Sequence, residues 1–104
     1  MASSVGTWEN RQTMRLGVRF NACLREPGSS LKFEVDVIDL SETGLRFETS
    51  FTIRPGSRIF VTIPGTSTLD AVVQWAHGYV YGAEFARPLH SAVFDLISAR
   101  HRKA

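Results

Sequence analysis

The chain has 104 residues, 43% of them hydrophobic and 21% charged, and a net charge of +2. That length supports one compact core and excludes two ordinary domains, and no apolar run approaches the roughly 20 residues a membrane-spanning helix needs. Cys23 is the sole cysteine, which excludes an intramolecular disulfide; with no signal-type apolar stretch in the first fifteen residues, the expected setting is a reducing cytoplasm, without membrane insertion.

Residues 1–17 are polar and read as a flexible N-terminal arm, and 18–104 as the folded unit. The arm contains Arg11-Gln12-Thr13-Met14-Arg15, an R-x-x-x-R. Charge is uneven along the chain: residues 1–25 hold four Arg and one Glu, the middle is net negative, and the last five residues are net positive. Ten of the twelve basic residues are Arg, whose planar fork matches phosphate oxygens and the guanine edge better than an ammonium does.

The first β-type run, Val18 to Leu24, ends at Pro27-Gly28; Cys23 within it reads as a small core residue rather than a nucleophile. Residues 31–37 alternate apolar and polar, as a strand with one wet face does, and 45–49 repeat the alternation with Leu45 and Phe47 inward. Pro55-Gly56 and Pro64-Gly65 are turn signals that bracket a run from Arg58 to Ile63. Leu69 to Trp75 and Tyr79 to Phe85 follow, separated by His77-Gly78. Leu89, Val93, Leu96 and Ile97 then recur at helical intervals after Pro88, with basic residues at the far end, predicting one helix over about 88–102. Six short strands at hairpin spacing and one helix predict an all-β fold, a six-stranded antiparallel β-barrel with a C-terminal α-helix, closed or nearly closed because closure removes aggregation-prone edges.

Between the second and third strands lies Asp39-Leu40-Ser41-Glu42-Thr43-Gly44, which reads D-x-S-x-x-G. Asp, Ser and Gly are ordinary turn residues, but the spacing is informative: chance alone would give ~0.03 such motifs in this composition, against roughly 1 R-x-x-x-R. Arg15/Arg19 and Arg54/Arg58 also fit the arginine pattern; Arg11/Arg15 is the pair that precedes the first strand. No metal-ligand spacing joins His77, His90 and His101, and no catalytic motif surrounds the Ser, His and Asp residues. No metal, cofactor or enzymatic turnover is expected.

The arm's R-x-x-x-R followed by D-x-S-x-x-G resembles the PilZ domain family, as do the later Val73-Gln74-Trp75 and Tyr81-Gly82-Ala83-Glu84-Phe85. The resemblance implies a six-stranded split-barrel-type fold that binds cyclic di-GMP, with the arm closing across the ligand. It implies that Arg11 and Arg15 bridge phosphate or fork to guanine O6 and N7. Asp39 would accept from guanine N1–H and N2–H, and Ser41 would donate to a phosphate oxygen. Gly44 would allow close approach. Trp75 would stack on a base in the manner of some family members, whereas its parity with Leu69, Ala71 and Val73 points into the core; both readings stand at this stage. Asn10 is counted with the site because it stands where the family frequently has a further Arg, at a position associated with an intercalated nucleotide pair.

The function so implied is a cyclic di-GMP receptor or adaptor that passes its signal in trans to a protein partner, or to a copy of itself. Two other readings fit the same sequence. One is a small basic barrel binding single-stranded nucleic acid, with Phe60, Trp75 and Tyr79 as stacking platforms, although an acidic middle segment would repel an extended polyanion. The other is a PilZ-like protein-interaction module without nucleotide binding, against which the intact motif residues argue.

Overall fold

The computed structural model describes residues 16–66 and 68–101. Its elements are β1 (Leu16–Arg25), β2 (Lys32–Leu40), β3 (Gly44–Glu48), β4 (Arg58–Thr62), β5 (Thr68–His77), β6 (Val80–Phe85) and one helix, α1 (Ser91–His101). All pairings are antiparallel, and the strands close into a barrel in the order β1-β2-β3-β6-β5-β4. The seam between β1 and β4 is short, Cys23 to Arg25 against Thr62 to Phe60.

Period-two alternation builds the interior as the sequence predicts. Val18, Phe20, Ala22 and Leu24 point inward from β1, Val35, Val37 and Leu40 from β2, Leu45 and Phe47 from β3, and Ile59 and Val61 from β4. Burial of this cluster supplies the driving force, about 25 cal/mol per Å² of apolar surface removed from water. Both Pro-Gly signals are turns: Ser57 N donates to Arg54 O and Thr66 N to Ile63 O, each at 3.0 Å. Gly56 and Gly65 sit at φ +94° and +86°, where a side chain is disfavoured.

Several details differ from the sequence expectation. The strand β1 starts at Leu16, so Leu16 and Gly17 belong to the barrel, opposite Leu40 and Asp39. Cys23 lies in the outward register of β1 and is half-buried, not in the core. The helix spans Ser91–His101, because His90 caps it: the His90 Nδ1 accepts from Ala92 N at 3.0 Å, and the His90 carbonyl receives Phe94 N. Leu96 is exposed and Phe94 takes the inward position expected of it, since Phe94, Ile97 and Ser98 share the stripe that faces the barrel.

The helix packs against β1, where the His101 ring lies tilted against Phe20 at 4.3 Å between centroids. Burial, with the Arg100 charge adding to it, holds the His101 imidazole below its ordinary value of about 6.5. A depressed base favours the fold in its neutral form, so this contribution is complete above about pH 6.5 and is lost as pH falls through the lowered folded value. The melting temperature should therefore fall more between about pH 7.5 and pH 5 for the native chain than for His101→Phe, which keeps the ring contact without the titration. Equal falls in thermal melts of the two would remove His101 from the account.

Candidate functional site

The turn joining β2 to β3 is built by Ser41. Its amide donates to Gly44 O at 2.9 Å, and its hydroxyl oxygen accepts from Gly44 N at 3.1 Å and Thr43 N at 3.2 Å. The hydroxyl also lies 3.2 Å from Thr43 Oγ1 and 3.3 Å from Gly44 O, and Ser41 is 1% exposed. Its hydrogen-bonding capacity is spent inside the turn, so the hydroxyl is not turned toward solvent as a phosphate contact would require. Two further bonds anchor the turn, from Phe85 N to Thr43 O at 2.8 Å and from Leu89 N to Glu42 O at 2.7 Å.

Gly44 does not occupy a left-handed conformation. It is a glycine because β6 approaches too closely: a Cβ here would stand 2.3 Å from the Ala83 carbonyl oxygen.

Asp39 reaches the outer face through a bulge. Val37 pairs with Phe47 and Asp39 with Arg46, leaving Ile38 as the extra residue. The bulge returns Leu40 to the interior and sets Asp39 directly across from Arg46, whose guanidinium Nη2 donates to the Asp39 carboxylate. Asp39 is buried, while the Arg46 side chain is 41% exposed. The sequence reading passed over Arg46, since only the β2–β3 register makes it the partner of Asp39.

A second bulge decides Trp75. Val73 pairs with Ala83 and Trp75 with Gly82, so Gln74 is the extra residue and the parity that would carry Trp75 into the core is reversed. Trp75 is 41% exposed and its indole lies across Gly82, where a Cβ would stand 2.3 Å from the ring. Backbone thus supports the indole, and the side chain stays partly open to solvent.

These features enclose a surface cavity of about 290 Å³ on the outer face of β3, β6 and β5. Gly44 and Gly82 lie in its lining with Thr43, Arg46, Gln74, Trp75 and Glu84. Of the residues singled out in the sequence, Gly44 and Trp75 meet here, and Asp39 is tied to it through Arg46. Asn10, Arg11 and Arg15 lie outside the described residues. The chain nevertheless enters the barrel beside the turn, because Leu16 is opposite Leu40 and Gly17 opposite Asp39.

Phe60 is a poor stacking platform for a nucleic-acid strand. The guanidinium groups of Arg25 and Arg58 lie over its ring at 4.8 and 5.2 Å, and Arg58 is itself forked onto Asp70. The Asp70 carboxyl is held below its usual range by that hydrogen bond.

A family model described as PilZ domain matches residues 9–99. Among solved structures, one described as the PilZ domain of CeSA from a cellulose synthesizing bacterium superposes with a TM-score of 0.63 at 14% sequence identity. The match covers 83% of this chain and 93% of the other. A comparison with curated proteins gives no match.

Proposed function

Because the chain belongs to the PilZ domain family, whose domains are cyclic di-GMP receptors, we propose that it binds cyclic di-GMP on this outer face and signals its level to a protein partner in trans, without catalysis. In this reading one guanine stacks on Trp75, and Asp39 accepts from the N1–H and N2–H of the other guanine, with Arg46 as its counter-ion. Arg11 and Arg15, on the segment preceding β1, fork onto the phosphodiesters or onto guanine O6 and N7. Ser41 acts by clamping the turn, and Gly44 by letting β3 and β6 close on each other beside the ligand. Asn10 completes the arm's approach to the site.

The observation that carries the reading is one of register. On one face, β1 begins opposite the end of β2, Asp39 pairs across to Arg46, Arg46 to Gly82, and Gly82 to Trp75. The start of β1, a carboxylate, a cation and an aromatic platform are therefore adjacent, and with the two arginines that the sequence places just before β1 they make the set of groups a bis-guanine diphosphate ring calls for.

Calorimetric titration with cyclic di-GMP tests this, with GTP and a short single-stranded DNA as controls. The expected result is binding of cyclic di-GMP alone, with a shallow salt dependence, because a compact ligand engages few charges while an extended strand releases many counterions and weakens steeply with salt. A folded protein that ignores cyclic di-GMP at micromolar concentration would overturn the proposal, and steep salt-dependent capture of the DNA would replace it with a nucleic-acid role.

A further inference from the structure

We propose that Glu84, to which the family resemblance assigns no role, reads the Watson–Crick edge of the guanine held over Trp75; this rests on the cyclic di-GMP reading above. Glu84 projects from β6 in the outward register it shares with Gly82, opposite Gly44 on β3. It is exposed, lines the cavity together with Trp75 and Arg46, and its side chain makes no hydrogen bond or ion pair among the described residues.

The two carboxylates of the site differ in what they have left to offer. Asp39 is buried and already engaged by Arg46, whereas both Glu84 oxygens are without a partner among the described residues. Guanine presents N1–H and N2–H side by side, a donor pair that a carboxylate accepts in two parallel bonds, and adenine lacks that pair. A base stacked on the indole beside the Gly82 backbone has its polar edge beside β6, where Glu84 stands one outward position beyond Gly82.

The spacing suits a ligand with two bases. Asp39 on β2 and Glu84 on β6 are separated by β3, two strand spacings across and two residues along, since Asp39 faces Arg46 and Glu84 faces Gly44, or about 12 Å. The cavity, about 290 Å³, lies at the lower end of the roughly 300–1,000 Å³ usual for small-molecule clefts, enough for part of a cyclic dinucleotide. Each carboxylate then serves one guanine.

The test is a titration of the native chain and of Glu84→Gln with cyclic di-GMP, cyclic di-AMP and cyclic di-IMP, whose base lacks the 2-amino group. The Glu84 side chain is exposed and bonds nothing among the described residues, so the variant should fold as the native chain does, which thermal melting checks. The expected result is a loss of about tenfold or more for cyclic di-GMP in Glu84→Gln, with a narrowed preference over cyclic di-AMP. The penalty for removing the 2-amino group should be smaller in the variant than in the native chain, since the two changes delete the same contact. Unchanged affinity and unchanged base preference in a variant of a native chain that binds cyclic di-GMP would overturn the role of Glu84 alone. A native chain that binds none of the three would overturn the function on which it rests.

Discussion

Gly44→Ala is expected to lose about 2–4 kcal/mol of folding stability, a large share of what a small domain possesses. The added Cβ would meet the Ala83 carbonyl oxygen at 2.3 Å and the Ala83 carbonyl carbon and Glu84 Cα at 3.3 Å. All three are backbone atoms, so no rotamer change relieves the contact, and the β3–β6 ladder must part where Gly44 faces Glu84 and Leu45 faces Ala83. The bond from Phe85 N to Thr43 O sits next to that opening and would be strained with it. Gly17→Ala is the control: it too lies in a paired strand, but its Cβ would meet nothing within 4 Å, so it should change stability by less than about 1 kcal/mol. Urea denaturation of both variants measures the difference, and equal stabilities would mean that glycine at 44 is not required by the packing of β6.

Replacing Arg15 or Asp39 by Ala should each weaken cyclic di-GMP binding by roughly 10- to 150-fold, corresponding to about 1.5–3 kcal/mol for a charge-assisted hydrogen bond. The losses have different origins. Arg15→Ala removes a cation from the arm, so it should also flatten the dependence of affinity on salt. Asp39→Ala removes an acceptor and releases the Arg46 guanidinium it engages, which adds positive charge to the face; its loss should therefore be smaller at low salt than at high. Arg54→Ala, in the exposed turn before β4, belongs to the competing arginine pair and should leave affinity nearly intact. Titrations at two ionic strengths decide the matter: undiminished affinity in both Arg15→Ala and Asp39→Ala would refute the assigned site, and a loss at Arg54 as large as theirs would move it to the other pair.

The barrel was legible because its determinants are local. Alternation in residues 31–37 and 45–49, the two Pro-Gly turns and the helical spacing after Pro88 each describe a few neighbouring residues, and together they yield the strand number and the terminal helix. What escaped is what depends on strands distant in sequence. The extra residues at Ile38 and Gln74 are defined against β3 and β6, and a parity rule run along one strand cannot see them; it therefore points Trp75 into the core, the reverse of its place in the barrel. Arg46 belongs to no motif and Glu84 has no assigned role in the one it belongs to, and only the pairing of β3 with β6 brings both to the same cavity. For D-x-S-x-x-G the residue types were readable but their reasons were not, since Ser41 is consumed within the turn and Gly44 answers to a neighbouring carbonyl.

Each of the six strands has a hydrogen-bonded neighbour on both flanks, and α1 lies along β1, where the seam with β4 is brief. Outside that seam the described strands have little main chain to lend to a visiting peptide that would extend the sheet. Over the rest of the barrel wall a visitor meets side chains rather than open main chain, so point substitutions on the surface should be able to separate one visitor from another while leaving the scaffold whole.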